Sequence, residues 1–299
     1  MKVTVIGGSG FLGSHVADQL SVHGQSVRIF DRRVSPWLRS DQEMIIGDLL
    51  DLQVLDEAIK DSEVVYHFAA LADLNDALDK PVDTVRINVL GTVQALDICR
   101  MYGVKRFMYA STVYVYSREG GFYRCSKQAS EHYVEEYARV FGLDYTILRY
   151  GSLFGPRSDE SNGLFRIVRD AIQLGKLRIS RVSPEAIREY IHVEDAAKAS
   201  VVALGDDFKN ESIVLTGHEP MSVSDFMKML SEILGFSDKV EFVDSEKSGH
   251  YIRTPYAYQP KLGRKYTPPL HVDLGQGLIQ LINEVTENLE SNQKNEKKY

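Results

Sequence analysis

Cysteine is nearly missing from the chain: Cys99 and Cys125 are the only two in 299 residues. Two cysteines are too few for a disulfide framework and lack metal-ligand spacing, so a reducing compartment and no metal site are expected. A surplus of positive charge is missing as well. The formal net charge is −7, which sets up no attractive field for a phosphate backbone or an anionic membrane surface. Nucleic acid and lipid are therefore poor candidate partners. No segment approaches the ~20 apolar residues of a membrane helix. Met1 to Ile6 runs into Gly7-Gly8 without a signal-length apolar stretch, so a cytoplasmic location is expected. There is no internal repeat, and 43% hydrophobic with 26% charged residues is a globular composition. By length, one large or two ordinary domains are expected.

What is present is an alternation. Val3 to Ile6 is a β-branched run, followed by a glycine-rich turn and then by Phe11, Leu12, Val16 and Leu20 at helical spacing. Ser26 to Phe30, Val64 to Phe68 and Phe107 to Ala110 read as further strands separated by helical stretches such as Ala77 to Gly103, which predicts a parallel sheet covered on both faces. After about residue 150 the texture shifts to Gly/Pro punctuation and shorter elements, including a helix over 224–234 capped by Ser222 or Ser224. The stretch 286–299 is polar and reads as a frayed tail.

Gly7, Gly10 and Gly13 stand at G-x-x-G-x-x-G spacing between the first strand and the first helix. Alone, that pattern also fits an ordinary turn. With Asp31 at the end of the second strand it fits a dinucleotide cradle: the diphosphate rests on the helix start, flanked by Phe11 and Leu12, and the acid receives the adenosine ribose hydroxyls. The Asp31 charge repels a 2′-phosphate, so NAD is expected over NADP. Arg32 and Arg33 beside it are the argument for the opposite choice.

Tyr123 and Lys127 are four apart, on one face of a helix. Among 16 tyrosines about one such pair arises by chance, so the spacing needs Thr112 and the glycine motif as support. A tyrosine base working near neutrality needs its pKa lowered by about three units, roughly 4 kcal/mol, which a lysine ammonium and a positive nicotinamide ring supply.

Together with Gly47-Asp48-Leu49, His67 to Ala70, Asn88 to Thr92, Ser111-Thr112, Leu148 to Tyr150, Gly155 to Arg157 and Arg188 to Asp195, these motifs resemble the extended short-chain dehydrogenase/reductases, in particular the nucleotide-sugar epimerases and dehydratases. The resemblance implies an α/β fold: a Rossmann-type doubly wound parallel sheet with a smaller C-terminal substrate-binding region. It divides the chain into 1–151 with about 188–205 for NAD, 152–187 with 206–285 for substrate, and a tail from 286. It implies cofactor contacts at Asp48, Leu49, Phe68, Ala69, Ala70, Asn88 and Tyr150. It also implies substrate contacts at Ser111, Ser152, Arg188 and Arg253, the two arginines suiting a diphosphate, and a homodimer.

Three departures stand out. Only eleven positions separate Thr112 from Tyr123, shorter than is usual in the family. Val113-Tyr114 stands where its sugar dehydratases carry Asp-Glu, which disfavours elimination. Ser152 stands where many relatives have an asparagine. The expected activity is an NAD-dependent nucleotide-sugar 4-epimerase, in which Tyr123 takes the hydroxyl proton and Thr112 holds the same oxygen. The alternatives are a 4-dehydrogenase or 4-ketoreductase of the same family and, from another class, a non-catalytic dinucleotide-binding scaffold.

Overall fold

The computed structural model describes residues 1–180, 183–236, 240–243, 250, 252–255, 264–266 and 269–296. In chain order the first part comprises β1 (Lys2–Ile6), α1 (Phe11–Val22), β2 (Ser26–Asp31), β3 (Gln42–Ile46), α2 (Leu52–Ile59), β4 (Val64–His67), α3 (Leu74–Asp79) and α4 (Pro81–Thr84). A π-helical turn over Val85–Leu90 then leads into α5 (Gly91–Met101), β5 (Arg106–Thr112), a 3-10 turn (Val113–Tyr116), α6 (Gly121–Phe141) and β6 (Tyr145–Tyr150). The remainder comprises β7 (Ser152–Phe154), α7 (Gly163–Leu174), β8 (Leu177–Ser180), β9 (Ile187–Arg188), β10 (Tyr190–His192), α8 (Val193–Val202) and β11 (Glu211–Leu215). It ends with β12 (Met221–Ser222), α9 (Val223–Ile233), β13 (Val240–Val243), β14 (Arg264–Lys265) and α10 (Leu274–Glu296).

Eight parallel strands form the main sheet in the order β14-β11-β6-β5-β4-β1-β2-β3. Every residue of β4 and β5 is buried, as expected of strands covered on both faces, which read as continuous apolar runs. On one face Val16 and Leu20 of α1 meet Ala196 and Ala199 of α8. On the other, Leu55 of α2, Leu96 of α5 and Val134 of α6 close over Phe107 and Ile147. The chain proceeds from β1 outward to β3, then returns to place β4 against the other side of β1. That reversal opens a crevice at the carboxyl ends of β1 and β4, the place where ligands lie in such sheets.

A second lobe has its own core, built on Phe154, Val168, Phe226, Leu230 and Leu281, with Tyr190 stacked on Phe226 at 4.0 Å between ring centroids. Its helices start with side-chain caps: Asn162 accepts from the amides of Leu164 and Phe165, and Ser222 from that of Asp225.

Three sequence boundaries move. β11 and β14, assigned by position to the substrate region, extend the main sheet beyond β6, because the apolar Ile213, Val214 and Leu215 complete its buried layer. Arg188 goes the other way: β9 pairs with β12 in the second lobe. The expected tail is helical as far as Glu296, since Leu281, Val285 and Leu289 continue one apolar stripe into the second core. Among the described residues, no helix is long and apolar enough to cross a membrane.

Candidate active site

Gly7 has φ +84°, and a Cβ there would press into the Ala69 backbone, so only glycine lets β1 turn away beneath the end of β4. A Cβ on Gly13 would sit on the Gly7 carbonyl oxygen, and its absence seats α1 against that turn. α1 begins at Gly10 with no side-chain cap, which leaves its first amides turned to the crevice for an anion. Asp31, at the end of β2, accepts from the Ser9 amide at 3.1 Å and the Arg33 amide at 3.1 Å. The carboxylate is thereby fixed at the rim. An uncapped helix start, a cradle that any side chain would fill and a rim carboxylate fit an extended dinucleotide.

These groups line one cleft of about 1060 Å³. Its wall includes Gly7, Gly10, Phe11, Leu12, Gly13, Asp31, Arg32, Asp48, Leu49, Phe68, Ala69 and Ala70, then Ser111, Thr112, Tyr123, Lys127 and Tyr150, and reaches Asp159–Asn162 of the second lobe. The structure thus brings the glycine turn, the rim acid and the Tyr/Lys/Thr group onto a single surface.

The short connection after Thr112 is made by the 3-10 turn and Gly120, which has φ +91° and leaves room for the Tyr114 ring. It delivers α6 so that the Tyr123 phenol lies in hydrogen-bonding reach of Thr112. Lys127 is 3% exposed, and its Nζ donates to the Ala110 carbonyl at 2.7 Å. Burial pushes the Lys127 pKa down to about 7, with Glu131 opposing the fall. Burial raises the Tyr123 pKa above the usual phenol value, and the Thr112 hydrogen bond opposes it. His67, below them on β4, is held neutral by burial and by the Lys127 charge, its pKa lowered to about 3. The tyrosine is therefore a neutral acid until a further positive charge arrives in the cleft.

Several predicted residues also have partners within the protein. Asn88 lies outside the cleft wall: its amide accepts from Leu71 N at 2.7 Å and donates to the Leu71 carbonyl at 3.0 Å and the Ser126 hydroxyl at 2.9 Å. It ties the cleft-lining segment at Leu71 to α6. Ser111 reaches the cleft, but its hydroxyl donates to Glu131. Tyr150 presents its ring beside Phe68 while its hydroxyl bonds Ser200 at 2.6 Å. Ser152, Arg188 and Arg253 are not among the residues lining the cleft. Ser152 pairs with Tyr190 in a strand ladder, Arg188 is buried with Nη1 on the Ile187 carbonyl, and Arg253 is exposed. His192 is buried with its ring edge-on to Phe154, a packing role. Sequence reasoning missed Leu71, Asp73 and Asp159–Asn162 in the wall, loop residues without a spacing signal. It also missed Glu131, whose signal was its position four residues beyond Lys127.

A family model described as the NAD dependent epimerase/dehydratase family matches residues 3–215. The chain is 28% identical to a putative UDP-glucose 4-epimerase of Methanocaldococcus jannaschii over 94% of this chain and 97% of that protein. The solved structure of the Thermotoga maritima UDP-glucose 4-epimerase with UDP-glucose aligns with a TM-score of 0.83 and 26% identity, covering 97% of this chain and 100% of that one. The Thermus thermophilus UDP-glucose 4-epimerase complex with NAD aligns with a TM-score of 0.80 and 25% identity, covering 96% and 99%.

Calorimetric titration tests the rim carboxylate. NAD is expected to bind at least about tenfold more tightly than NADP, a difference of about 1.4 kcal/mol, and Asp31→Asn to narrow that gap. Equal affinities in the unsubstituted protein would mean that Arg32 and Arg33 dominate.

Proposed function

Because the chain belongs to the NAD-dependent epimerase/dehydratase family, we propose that it is a nucleotide-sugar 4-epimerase acting on UDP-linked hexoses. The observation that carries the reading is the convergence of Tyr123, Lys127 and Thr112 on the same cleft wall as the glycine turn and Asp31. The UDP-sugar 4-epimerases among its relatives support the substrate class. NAD, when bound, supplies the hydride acceptor. Tyr123 removes the proton from the sugar C4 hydroxyl and later returns it, while Thr112 holds the same oxygen. Lys127, anchored on the Ala110 carbonyl, keeps a cation beside the phenol and favours its ionised form. Val113 and Tyr114 leave the site without the acid-base pair that eliminating water from the keto sugar needs.

The assembly we propose is a homodimer packed through α5 and α6. Their outer faces leave Met101, Tyr133, Val140 and Phe141 between 46% and 59% exposed, an apolar surface beyond what scattered single residues explain. Light scattering at micromolar concentration is expected to give twice the 33.8 kDa chain mass; a monomer contradicts this assembly.

Incubation with UDP-glucose, UDP-glucuronate and UDP-N-acetylglucosamine, followed by proton NMR, is expected to yield a C4 epimer from at least one of them without net NADH. Stoichiometric NADH with a released keto product and no epimer would replace the epimerase with a dehydrogenase. Tyr123→Phe is expected to lower turnover by about 10²–10⁴-fold while leaving the NAD dissociation constant unchanged.

A further inference from the structure

The face of α6 that carries Tyr123 and Lys127 has a third member. Glu131 follows at the same four-residue interval, so the three side chains stand in one row, and each meets the end of β5: Tyr123 at Thr112, Lys127 at the Ala110 carbonyl, Glu131 at the Ser111 hydroxyl. The Ser111 hydroxyl donates to Glu131 Oε1 at 2.5 Å. Arg149 of β6 donates Nε to Oε1 at 3.0 Å and Nη2 to Oε2 at 2.7 Å. Its third nitrogen, Nη1, donates to the Tyr116 hydroxyl at 2.5 Å, and the guanidinium lies over the Tyr116 ring at 4.8 Å. Glu131 and Arg149 are 2% and 1% exposed.

Stability does not account for this arrangement, since an apolar pair of similar volume is often at least as stable as a buried ion pair. Its position does. We propose that Glu131 is a positioning residue for Lys127: clamped by Arg149 and Ser111, its carboxylate keeps the buried Lys127 ammonium charged and in register with Tyr123 and Thr112. The proposal rests on Tyr123 and Lys127 being the catalytic pair.

The groups around Lys127 leave this task to Glu131. From β5 comes the Tyr109 ring at 4.8 Å, from β4 the neutral His67, and from its own helix the Tyr123 ring at 5.9 Å and Glu131. Of these, Glu131 alone carries a negative charge. Facing Glu131 itself are Arg149 and Tyr145 from β6, Ser111 and Tyr109 from β5, and Tyr116 from the 3-10 turn. Burial disfavours the ammonium and Glu131 favours it. Loss of the carboxylate therefore lowers the pH at which Lys127 gives up its proton.

The test reads Lys127 directly in the NAD-loaded protein. Lysines labelled with carbon-13 at Cε are titrated by NMR, and the signal that disappears in Lys127→Met is assigned to Lys127. Glu131→Gln is expected to lower its midpoint by about one pH unit or more, and Glu131→Asp to restore most of the difference. If Glu131→Gln does not fold, the double variant Glu131→Gln/Arg149→Met removes both buried charges, and a smaller downward shift is expected of it, because the Arg149 cation that disfavoured the ammonium is lost as well. A folded variant whose Lys127 midpoint stays at the unsubstituted value overturns the proposal. Because the titration needs no turnover, a shifted midpoint in a protein that epimerises no sugar would refute the proposed activity and sustain the positioning role.

Discussion

A lysine ammonium buried beneath the carboxyl end of β5 and hydrogen-bonded to a backbone carbonyl is the constraint on which the site depends. Charge in that position is disfavoured by desolvation, so the surroundings must be arranged to tolerate it. The arrangement begins with topology. The reversal of strand order beside β1 opens the crevice, and β5 and β6 run past the end of β4 to finish side by side at Thr112 and Tyr150. α6 then crosses those ends with a row of tyrosine, lysine and glutamate facing them. Ala110, Ser111 and Thr112 are consecutive on β5, so one helix face and one strand end position these polar groups together.

The electrostatics are graded along that row. At its inner end the Glu131 carboxylate is held in place by Arg149 and Ser111. In the middle, Lys127 is poised near pH 7, where small changes in its surroundings decide its charge. At the outer end Tyr123, protonated in the protein by itself, awaits a cationic partner in the cleft. Asn88 adds rigidity: it bonds Leu71 on the cleft wall and Ser126 on α6 through one side chain, so the wall and α6 are held by a common group.

Much of this was legible in the sequence because it is written in local terms. The alternation of strands and helices, the glycine turn, Asp31 at a strand end and the four-residue step from Tyr123 to Lys127 each follow from the steric or periodic needs of one short segment. What was not legible depends on distant segments meeting. The hydrogen bond from Ser111 to Glu131, 20 positions on, and the clamp that Arg149 puts on that carboxylate are visible only once the segments meet. Asn88 looks like a cofactor contact until Leu71 claims its amide. Residues 211–215 lie beyond the expected boundary of the nucleotide-binding domain, and only pairing with β6 makes them part of its sheet. The polar stretch after 286 looked frayed because its apolar residues are sparse, although they share one helical face.

The central claim is that hydrogen leaves sugar C4 and returns to it within one closed site whose proton traffic runs through Tyr123. The most direct measurement follows the hydrogen itself, using a UDP-hexose deuterated at C4 in ordinary water. The account predicts that the C4 epimer retains deuterium at C4 and that no deuterated NADH is released. Deuterium lost to solvent from C4, or carried away in released NADH, would contradict it.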